Sequence, residues 1–358
     1  MASNTFDPTK INKLAKEAEQ KEVLKRVTDA VRLHEGKQKL QRITDGKNLA
    51  DTLSSIDFDT DFDQLSKDAR ADAAERANAI VFMYDELSDF VQLAPGSLAL
   101  ICAATGTGKS TLTANVAYAL LRAGKRTLII ANEEKRTDVA ARISCLQLDV
   151  SIHDYKRKGG LPDLIRDNVL DNIANLNKRM LTIIALDYKN DQRVVTSPEG
   201  MEQILDQATG KYDAVIIDYY QNINHSIHNP GFQAHEANEM FAKHVDNIKN
   251  TIGCPIIMMA QIRRGDDDFK VRLEGRRLIL NKCTDIFEIK IDKPNRRSAL
   301  IAHKDRWLGN QGEERFLGYD RGKFVPYTRE FEEKMKQSKV SVYDALASDV
   351  DMSDDKKV

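Results

Sequence analysis

The stretch from Ala103 to Thr111 constrains the fold of this chain more than any other. It reads Ala-Ala-Thr-Gly-Thr-Gly-Lys-Ser-Thr, follows an apolar run at Leu98–Cys102 and precedes a helical pattern at Leu112–Leu121. This order predicts a strand, a glycine-rich turn and a helix. In such a turn the backbone N–H groups and the positive end of the helix dipole bind an anion.

The same stretch fits the phosphate-loop pattern G-x-x-x-x-G-K-[ST], except that Ala103 replaces the first glycine. A small residue there still allows close approach of the backbone, and the flanking strand and helix disfavour a chance glycine-rich turn. We expect Lys109 to reach the β- and γ-phosphates of a nucleotide and Ser110 to hold Mg²⁺. The predicted phosphate-binding residues are Ala103, Ala104, Thr105, Gly106, Thr107, Gly108, Lys109, Ser110 and Thr111.

Composition limits the class of protein. The chain has 358 residues, with 54 Lys and Arg against 55 Asp and Glu, so net charge neither favours nor excludes a nucleic-acid partner. The sequence shows neither a signal pattern nor an apolar run of about 18 residues, so we expect a soluble, intracellular protein without a membrane partner. The cysteines form no C-x-x-C pair and are expected to be reduced and structural; they are Cys102, Cys145, Cys254 and Cys283.

Apolar strand patterns alternate with helical patterns from about residue 84 to residue 330. This alternation predicts an α/β fold with a mostly parallel sheet flanked by helices. Before it, residues 1–47 predict a helical arm and residues 48–83 a linker with a helix at Ser66–Phe82. The narrow apolar stripe of the arm fits either a helix packed on its own core or a docking arm for another protein. The acidic tail within residues 331–358 is expected to be partly disordered.

Two carboxylates are predicted to serve the nucleotide. The buried strand pattern at Ala214–Ile217 ends in Asp218, where an α/β sheet binds its ligands, and this carboxylate would coordinate Mg²⁺. Tyr219 follows it in place of the glutamate that many ATPases have there, so a catalytic base must lie elsewhere. We favour Glu133 over Glu134 as the acceptor of a proton from the attacking water. Both follow the apolar strand pattern at Arg126–Ala131, next to the phosphate-loop unit, and a solvated pair capping the next helix is the alternative.

Three further positions suggest phosphate chemistry. Gln261 ends the strand pattern at Pro255–Met259 and could sense a γ-phosphate. Lys304 and Arg306 share one side of a strand end and could stabilise charge on a transferring phosphoryl group. The segment after Gln261 is basic and predicts a nucleic-acid-binding loop, with a charged surface loop as the alternative; its chosen residues are Arg263, Arg264, Lys270 and Arg272.

Taken in order, these segments resemble the RecA-fold motor of DnaB-type ring helicases and of related bacteriophage helicases of superfamily 4. The resemblance covers about Tyr84 to Tyr327. It rests on the phosphate loop that begins with Ala103, on Asn132-Glu133 followed by Arg142, on Asp218-Tyr219-Tyr220-Gln221, on Gln261, and on Lys304-x-Arg306-Trp307-x-Gly309-x-x-Gly312.

The resemblance implies an ATP-dependent DNA helicase of DNA replication in the cytoplasm of a bacterial or phage-infected cell. It implies a homo-hexameric ring around single-stranded DNA, with ATP and Mg²⁺ bound between subunits and Lys304 and Arg306 reaching the neighbour's γ-phosphate. Residues 222–233 and the segment after Gln261 would line the channel, and the helix at Ser66–Phe82 would dock on the adjacent subunit.

One departure from the family leaves the partners open. The arm at residues 1–47 does not resemble the N-terminal helical domain of bacterial replicative helicases, so its partner could be a primase, a polymerase or a loader. Two other functions share most of these motifs. One is a RecA- or RadA-like recombination or repair ATPase, and the other is a nucleotide-gated loader without unwinding activity.

Overall fold

The computed structural model describes residues 62–77, 79–81, 83–104, 109–176, 180–185, 193–229, 231–263, 277–292, 297–320 and 322–334. The predicted arm, most of the linker and the acidic tail lie outside these residues. The chain divides into two units, residues 1–71 and 72–358. At the boundary lies α1 (Phe62–Ala77), which begins and ends earlier than the predicted helix at Ser66–Phe82.

Nine strands form one sheet in the described part of the chain. They are β1 (Leu98–Ala104), β2 (Thr127–Ala131), β3 (Leu181–Ala185), β4 (Ala214–Asp218), β5 (Ile256–Ile262), β6 (Asp285–Asp292), β7 (Arg297–Lys304), β8 (Glu314–Asp320) and β9 (Lys323–Pro326). Their spatial order is β3-β2-β4-β5-β1-β6-β7-β8-β9. The pairs from β3 to β6 are parallel and the last three are antiparallel. The predicted fold class is therefore confirmed.

Helices cover both faces of the parallel strands. From residue 109 onward the helices are α2 (Lys109–Arg122), α3 (Arg136–Gln147), α4 (Ile152–Lys156), α5 (Asp163–Asn175), α6 (Arg193–Thr196), α7 (Pro198–Ala208), α8 (Ala234–Ile248) and α9 (Arg277–Lys282). The core has two apolar layers, one between the sheet and α2 and α3, the other between the sheet and α7, α8 and α9. β1 is buried over almost its whole length because it contributes to both layers.

Local signals explain several element boundaries. Ser197 caps α7 by accepting a hydrogen bond from Gly200 N at 3.2 Å, and Pro198 occupies the first helical position. The helices α4 and α5 are separated by Gly159-Gly160 and Pro162, residue types that interrupt a helix. The four cysteines are buried thiols.

A buried asparagine ties the last strands to the first helix of the core. Asn115 of α2 donates from Nδ2 to Gly322 O at 2.8 Å and accepts from Phe324 N at Oδ1 at 2.9 Å. The β8–β9 hairpin therefore packs on the helix that follows the phosphate loop. In the described part of the chain, no helix is both long and apolar enough to cross a membrane.

Candidate nucleotide-binding site

The carboxyl ends of four neighbouring parallel strands, β2, β4, β5 and β1, meet at one edge of the sheet, which is where α/β sheets bind ligands. The ladder aligns Ala131 of β2 with Asp218 of β4, and Ala103 of β1 with Gln261 of β5. Ala131 and Ala103 both belong to the apolar layer under α2. Asp218 and Gln261 therefore lie on the α2 face, beside the start of the helix that carries Lys109.

The side chain of Lys109 lies between two carboxylates. Its Nζ is 2.6 Å from Asp218 Oδ1 and 3.0 Å from Glu133 Oε2, and its side chain is only 11% exposed. It also lies 4.0 Å from the centre of the Tyr219 ring, which adds a cation–π contact. Three residues predicted from separate segments, Lys109, Asp218 and Glu133, are thus brought together by the fold.

The charge of Lys109 is stabilised by these neighbours. Burial alone would lower the pKa of its ammonium, but the charges and hydrogen bonds of Asp218 and Glu133 outweigh burial and raise that pKa above its usual value. Lys109 is therefore fully protonated at neutral pH, as a phosphate ligand must be.

The donor set around Asp218 fits Mg²⁺ held with phosphates. Asp218 is buried, and Thr113 Oγ1 donates to its Oδ2 at 2.7 Å, which fixes the carboxylate at the end of β4. Ser110 lies in the first turn of α2, half-buried, so that a hydroxyl and a carboxylate are both offered at this edge. Oxygen ligands of this kind, together with phosphate oxygens, are those that Mg²⁺ prefers.

The two adjacent glutamates after β2 have different partners. Glu133 is half-exposed and contacts Lys109. Glu134 is paired with Arg142 of α3, whose Nη2 and Nε donate to its two oxygens at 2.7 and 3.3 Å. Glu134 is therefore held away from Lys109, and Glu133 is the carboxylate that faces the predicted phosphate position.

Asn132, which precedes them, joins β2 to β4. Its fully buried side chain donates to Tyr219 O at 3.0 Å and accepts from Tyr219 N at 2.8 Å, while its own N–H donates to Asp218 O at 2.9 Å. Its carbonyl accepts from Asn222 Nδ2. These bonds fix Glu133 relative to Asp218.

Lys304 and Arg306 lie away from this edge. Lys304 Nζ donates to Cys283 O and, at 3.4 Å, to Leu280 O, at the end of α9. Burial and the nearby Arg306 lower the pKa of Lys304. Arg306 is exposed, and its backbone N–H donates to Asp285 Oδ1 at 3.4 Å.

Some predicted site residues lie outside the described part of the chain. In the phosphate loop they are Thr105, Gly106, Thr107 and Gly108, and in the basic segment they are Arg264, Lys270 and Arg272. Arg263, at the start of that segment, is described and exposed. Ala103 and Ala104 end β1, and Thr111 lies in the first turn of α2.

Three polar contacts at the site were not predicted from the sequence. Thr113 follows Lys109 by one helical turn, which is the spacing that could have revealed it. Asn132 and Gln221 belong to the segments that carry the family resemblance, but the backbone groups that they bond are brought near only by the fold. Gln221 Nε2 donates to Gln261 O at 2.7 Å, and Gln261 N donates to Gln221 Oε1 at 3.1 Å.

The sheet order and the cluster of Lys109, Asp218 and Glu133 define the class of protein. It is a P-loop nucleoside-triphosphatase of RecA type. A family model described as "AAA domain" matches residues 87–267, just over half of the chain, and the chain belongs to that family. Fold and family together support an ATPase of the AAA/RecA-like type. No curated protein matches the chain in sequence.

Several solved structures align with this chain. One of them, described as an ATPase domain, aligns with a TM-score of 0.60 and 13% identity over 76% of this chain and 100% of that one. A DnaB-like replicative helicase, described with its interactions with primase, aligns with a TM-score of 0.58 and 12% identity over 92% of this chain and 81% of that one. The RadB recombinase aligns with a TM-score of 0.44 and 11% identity over 66% of this chain and 93% of that one. The predicted resemblance to the motor of DnaB-type helicases is confirmed at the level of the fold.

Proposed function

We propose that this protein is an ATP-dependent DNA helicase, a hexameric ring that translocates on single-stranded DNA during DNA replication. The ATPase class follows from the fold and the family. The ring, the DNA and the unwinding are the further steps, and they are supported by where the chain carries its two candidate fingers, Lys304 and Arg306.

The observation that carries this proposal is the separation of Lys304 from Lys109 within one chain. Lys304 pairs with Ile286, and Ile286 pairs with Leu100 in β1. β1 continues to Ala104 before the phosphate loop begins, which at the usual strand rise adds about 13 Å along the sheet. Two strand spacings of about 4.8 Å separate β7 from β1 as well. Neither Lys304 nor Arg306 can therefore reach the phosphate loop of its own chain.

A second copy of the chain can bring these two side chains to the phosphate loop of its neighbour. If the Lys304–Arg306 edge of one subunit faces the β2–β4–β5–β1 edge of the next, the exposed Arg306 guanidinium can approach the phosphates from outside. A charge supplied in trans is the arrangement by which arginine fingers act on transferring phosphoryl groups. Lys304 would help to orient the segment, because its ammonium is already bonded to the end of α9.

Within the nucleotide site each residue has a separate role. Lys109 binds the β- and γ-phosphates, and Ser110 and Asp218 would hold Mg²⁺, which when bound neutralises charge on the phosphate oxygens. Glu133 accepts a proton at its carboxylate from the attacking water. Gln261, on the adjacent strand and the same face, would respond to the γ-phosphate.

The nucleic acid would be bound by two segments that leave this edge. One follows Asp218 at residues 222–233 and the other begins at Arg263, with Arg264, Lys270 and Arg272 as phosphate ligands. The basic segment directly follows β5, the strand that carries Gln261, so binding of nucleic acid to this segment would be coupled to ATP hydrolysis. The arm at residues 1–47 is proposed to bind a replisome partner.

Imaging and unwinding together test the proposal. We expect negative-stain images with ATP, Mg²⁺ and oligo-dT to show closed six-fold rings, and a forked duplex to be unwound by the wild type but not by Lys109→Ala. Filaments on DNA would indicate the recombinase alternative instead. Nucleotide-dependent oligomers with no unwinding of any fork would indicate the loader alternative and would reject the helicase.

A further inference from the structure

The ladder between β4 and β5 ends early, and a side chain continues it. The last paired residues are Ile217 and Met258, after which the two strands diverge. Gln221 lies in a single 3₁₀ turn at Tyr220–Asn222, directly after β4. Its amide gives one hydrogen bond to the carbonyl of Gln261 and takes one from the N–H of the same residue, at 2.7 and 3.1 Å. The Gln221 side chain thus makes the two hydrogen bonds to Gln261 that a longer β4 would have made.

A second side-chain amide makes the same kind of paired contact on the other side of β4. Asn132 bonds both the N–H and the carbonyl of Tyr219, at 2.8 and 3.0 Å. Two side-chain amides therefore join the ends of β2, β4 and β5 in series, each satisfying both backbone groups of one residue. We call these contacts the amide bridges, formed by Asn132 with Tyr219 and by Gln221 with Gln261.

The amide bridges connect the nucleotide site to the start of the basic segment. At one end, Tyr219 lies under the Lys109 ammonium and Asn132 directly precedes Glu133. At the other end, Gln261 is followed within two residues by Arg263. A displacement of Tyr219 on nucleotide exchange would reach Gln261 through short, paired hydrogen bonds rather than through a flexible loop.

We propose that Gln221 is a positioning residue that couples the nucleotide state to nucleic-acid affinity. The inference rests on the proposed function, because it requires nucleic acid to bind the segments that follow Asp218 and Gln261. It predicts that the coupling, and not only the rate of hydrolysis, depends on the Gln221 amide. A residue that served only to pack the core would change stability without changing the coupling.

Two substitutions remove the bridge to different extents. Gln221→Ala removes both hydrogen bonds. Gln221→Glu keeps the shape and the acceptor for Gln261 N, but an ionised carboxylate cannot donate to Gln261 O. Gln203→Ala is the matched control, since Gln203 is an exposed glutamine on α7.

The measurement is the ratio of oligo-dT affinities with a non-hydrolysable ATP analogue and with ADP, together with the factor by which oligo-dT stimulates ATP hydrolysis. We expect a wild-type affinity ratio in the range of about 5–150 that is usual for allosteric coupling. It should fall toward one in Gln221→Ala and Gln221→Glu, while Gln203→Ala keeps the wild-type ratio.

Three outcomes are informative. Wild-type ratios in a folded Gln221 variant would overturn the inference and leave the helicase proposal intact. A wild type whose nucleotide state and oligo-dT affinity are unlinked would reject the proposed function and the inference with it. If neither variant folds, amide hydrogen exchange of the wild-type protein tests the coupling instead. The ATP analogue alone and oligo-dT alone should each slow exchange at Gln261 N, and a response to one ligand only would reject the coupling.

Discussion

Lys109 and Asp218 form an ion pair of 2.6 Å at the edge where the phosphate loop meets the sheet. Both side chains are nearly buried, and Thr113 holds the second oxygen of Asp218 at 2.7 Å. The lysine can therefore turn to a phosphate while the carboxylate stays in position for a cation. Lys109 thus exchanges Asp218 for a phosphate when a nucleotide binds. The first prediction follows from this exchange.

Lys109→Ala should abolish ATP hydrolysis. The substitution removes the cation for the β- and γ-phosphates and leaves Asp218 and Glu133 close together without a counter-charge. We expect turnover to fall by at least about 10²-fold, the loss usual for one electrostatic contact in a catalytic site. Phosphate release at saturating ATP measures it, and Lys211→Ala, at an exposed lysine, is the control. Undiminished turnover in Lys109→Ala would reject the nucleotide site.

Glu133→Gln should stop hydrolysis and spare ATP binding. A glutamine keeps the size of the side chain but cannot accept the proton of the attacking water, which costs about 10²–10⁴-fold in turnover. Glu134→Gln is the matched comparison, because Glu134 is engaged with Arg142 and should affect the rate less. Fluorescent ATP-analogue binding and steady-state turnover separate the two effects. A larger loss of turnover in Glu134→Gln would exchange the roles of the two residues.

Arg306→Ala should bind ATP and fail to turn it over, with a loss of about 10³–10⁵-fold if the guanidinium acts as an arginine finger. Mixing it with Lys109→Ala should then restore activity. In mixed rings some interfaces join the intact Lys109 of one subunit to the intact Arg306 of the next. The assay is turnover across a titration of the two variants. Mixtures that stay inactive at every ratio would contradict action between subunits.

Single-stranded DNA binding should weaken steeply with salt. Each phosphate contact made by Lys or Arg contributes about −0.7 to the slope of log affinity against log salt for single strands. Arg263→Ala should make that slope less negative by about 0.7, because one contact is lost. Lys158→Ala, at an exposed lysine on another part of the surface, should leave the slope unchanged. A wild-type slope near zero would contradict the assignment of the basic segment.

Asp285, beside Arg306, should make stability depend on pH. Burial raises the pKa of its carboxyl to about 6, although Thr284 and the Arg306 N–H oppose the shift. The folded state thus holds the proton more tightly than the unfolded state. This contribution to stability is complete below the unfolded pKa of 3.8 and is lost as pH rises through about 6.

Asp285→Asn tests that dependence. Between pH 4 and pH 7.5, the wild type should lose up to about 3 kcal/mol more unfolding free energy than the variant, the equivalent of the pKa difference. Chemical denaturation at several pH values measures it, with Asp206→Asn at an exposed position as the control. Parallel pH curves for wild type and Asp285→Asn would show that Asp285 is not the group responsible.

Long apolar runs allowed most of the fold to be predicted from the sequence. The buried strand β4 and its terminal Asp218 follow from such a run, and Ser197-Pro198 marks the start of α7. β1 and β5 extend beyond their predicted ends because Ala104 and Ile262 pair with each other across the sheet. That pairing depends on neighbours distant in sequence, which local patterns do not encode.

The candidate site, like the fold, could be predicted from the sequence only in part. Residue types at strand ends predicted which side chains converge, and Lys109, Asp218 and Glu133 do so. The contact that holds Gln261 could not be predicted from local patterns, since Gln221 bonds backbone groups left open where the pairing of β4 with β5 ends. The contact of Lys304 with the end of α9 likewise exists only after the chain has folded.

The hydrogen bonds of Asn115 also determine when a newly made chain can acquire its nucleotide site. Asn115 lies in the helix directly after the phosphate loop, and its partners Gly322 and Phe324 are among the last residues of the sheet. A nascent chain leaves this buried amide bonded to Thr111 O of its own helix but without Gly322 and Phe324 until residue 324 has emerged. The ATP site is therefore expected to be completed only after residue 324 has emerged, and a chain terminated before that residue should not compete for nucleotide.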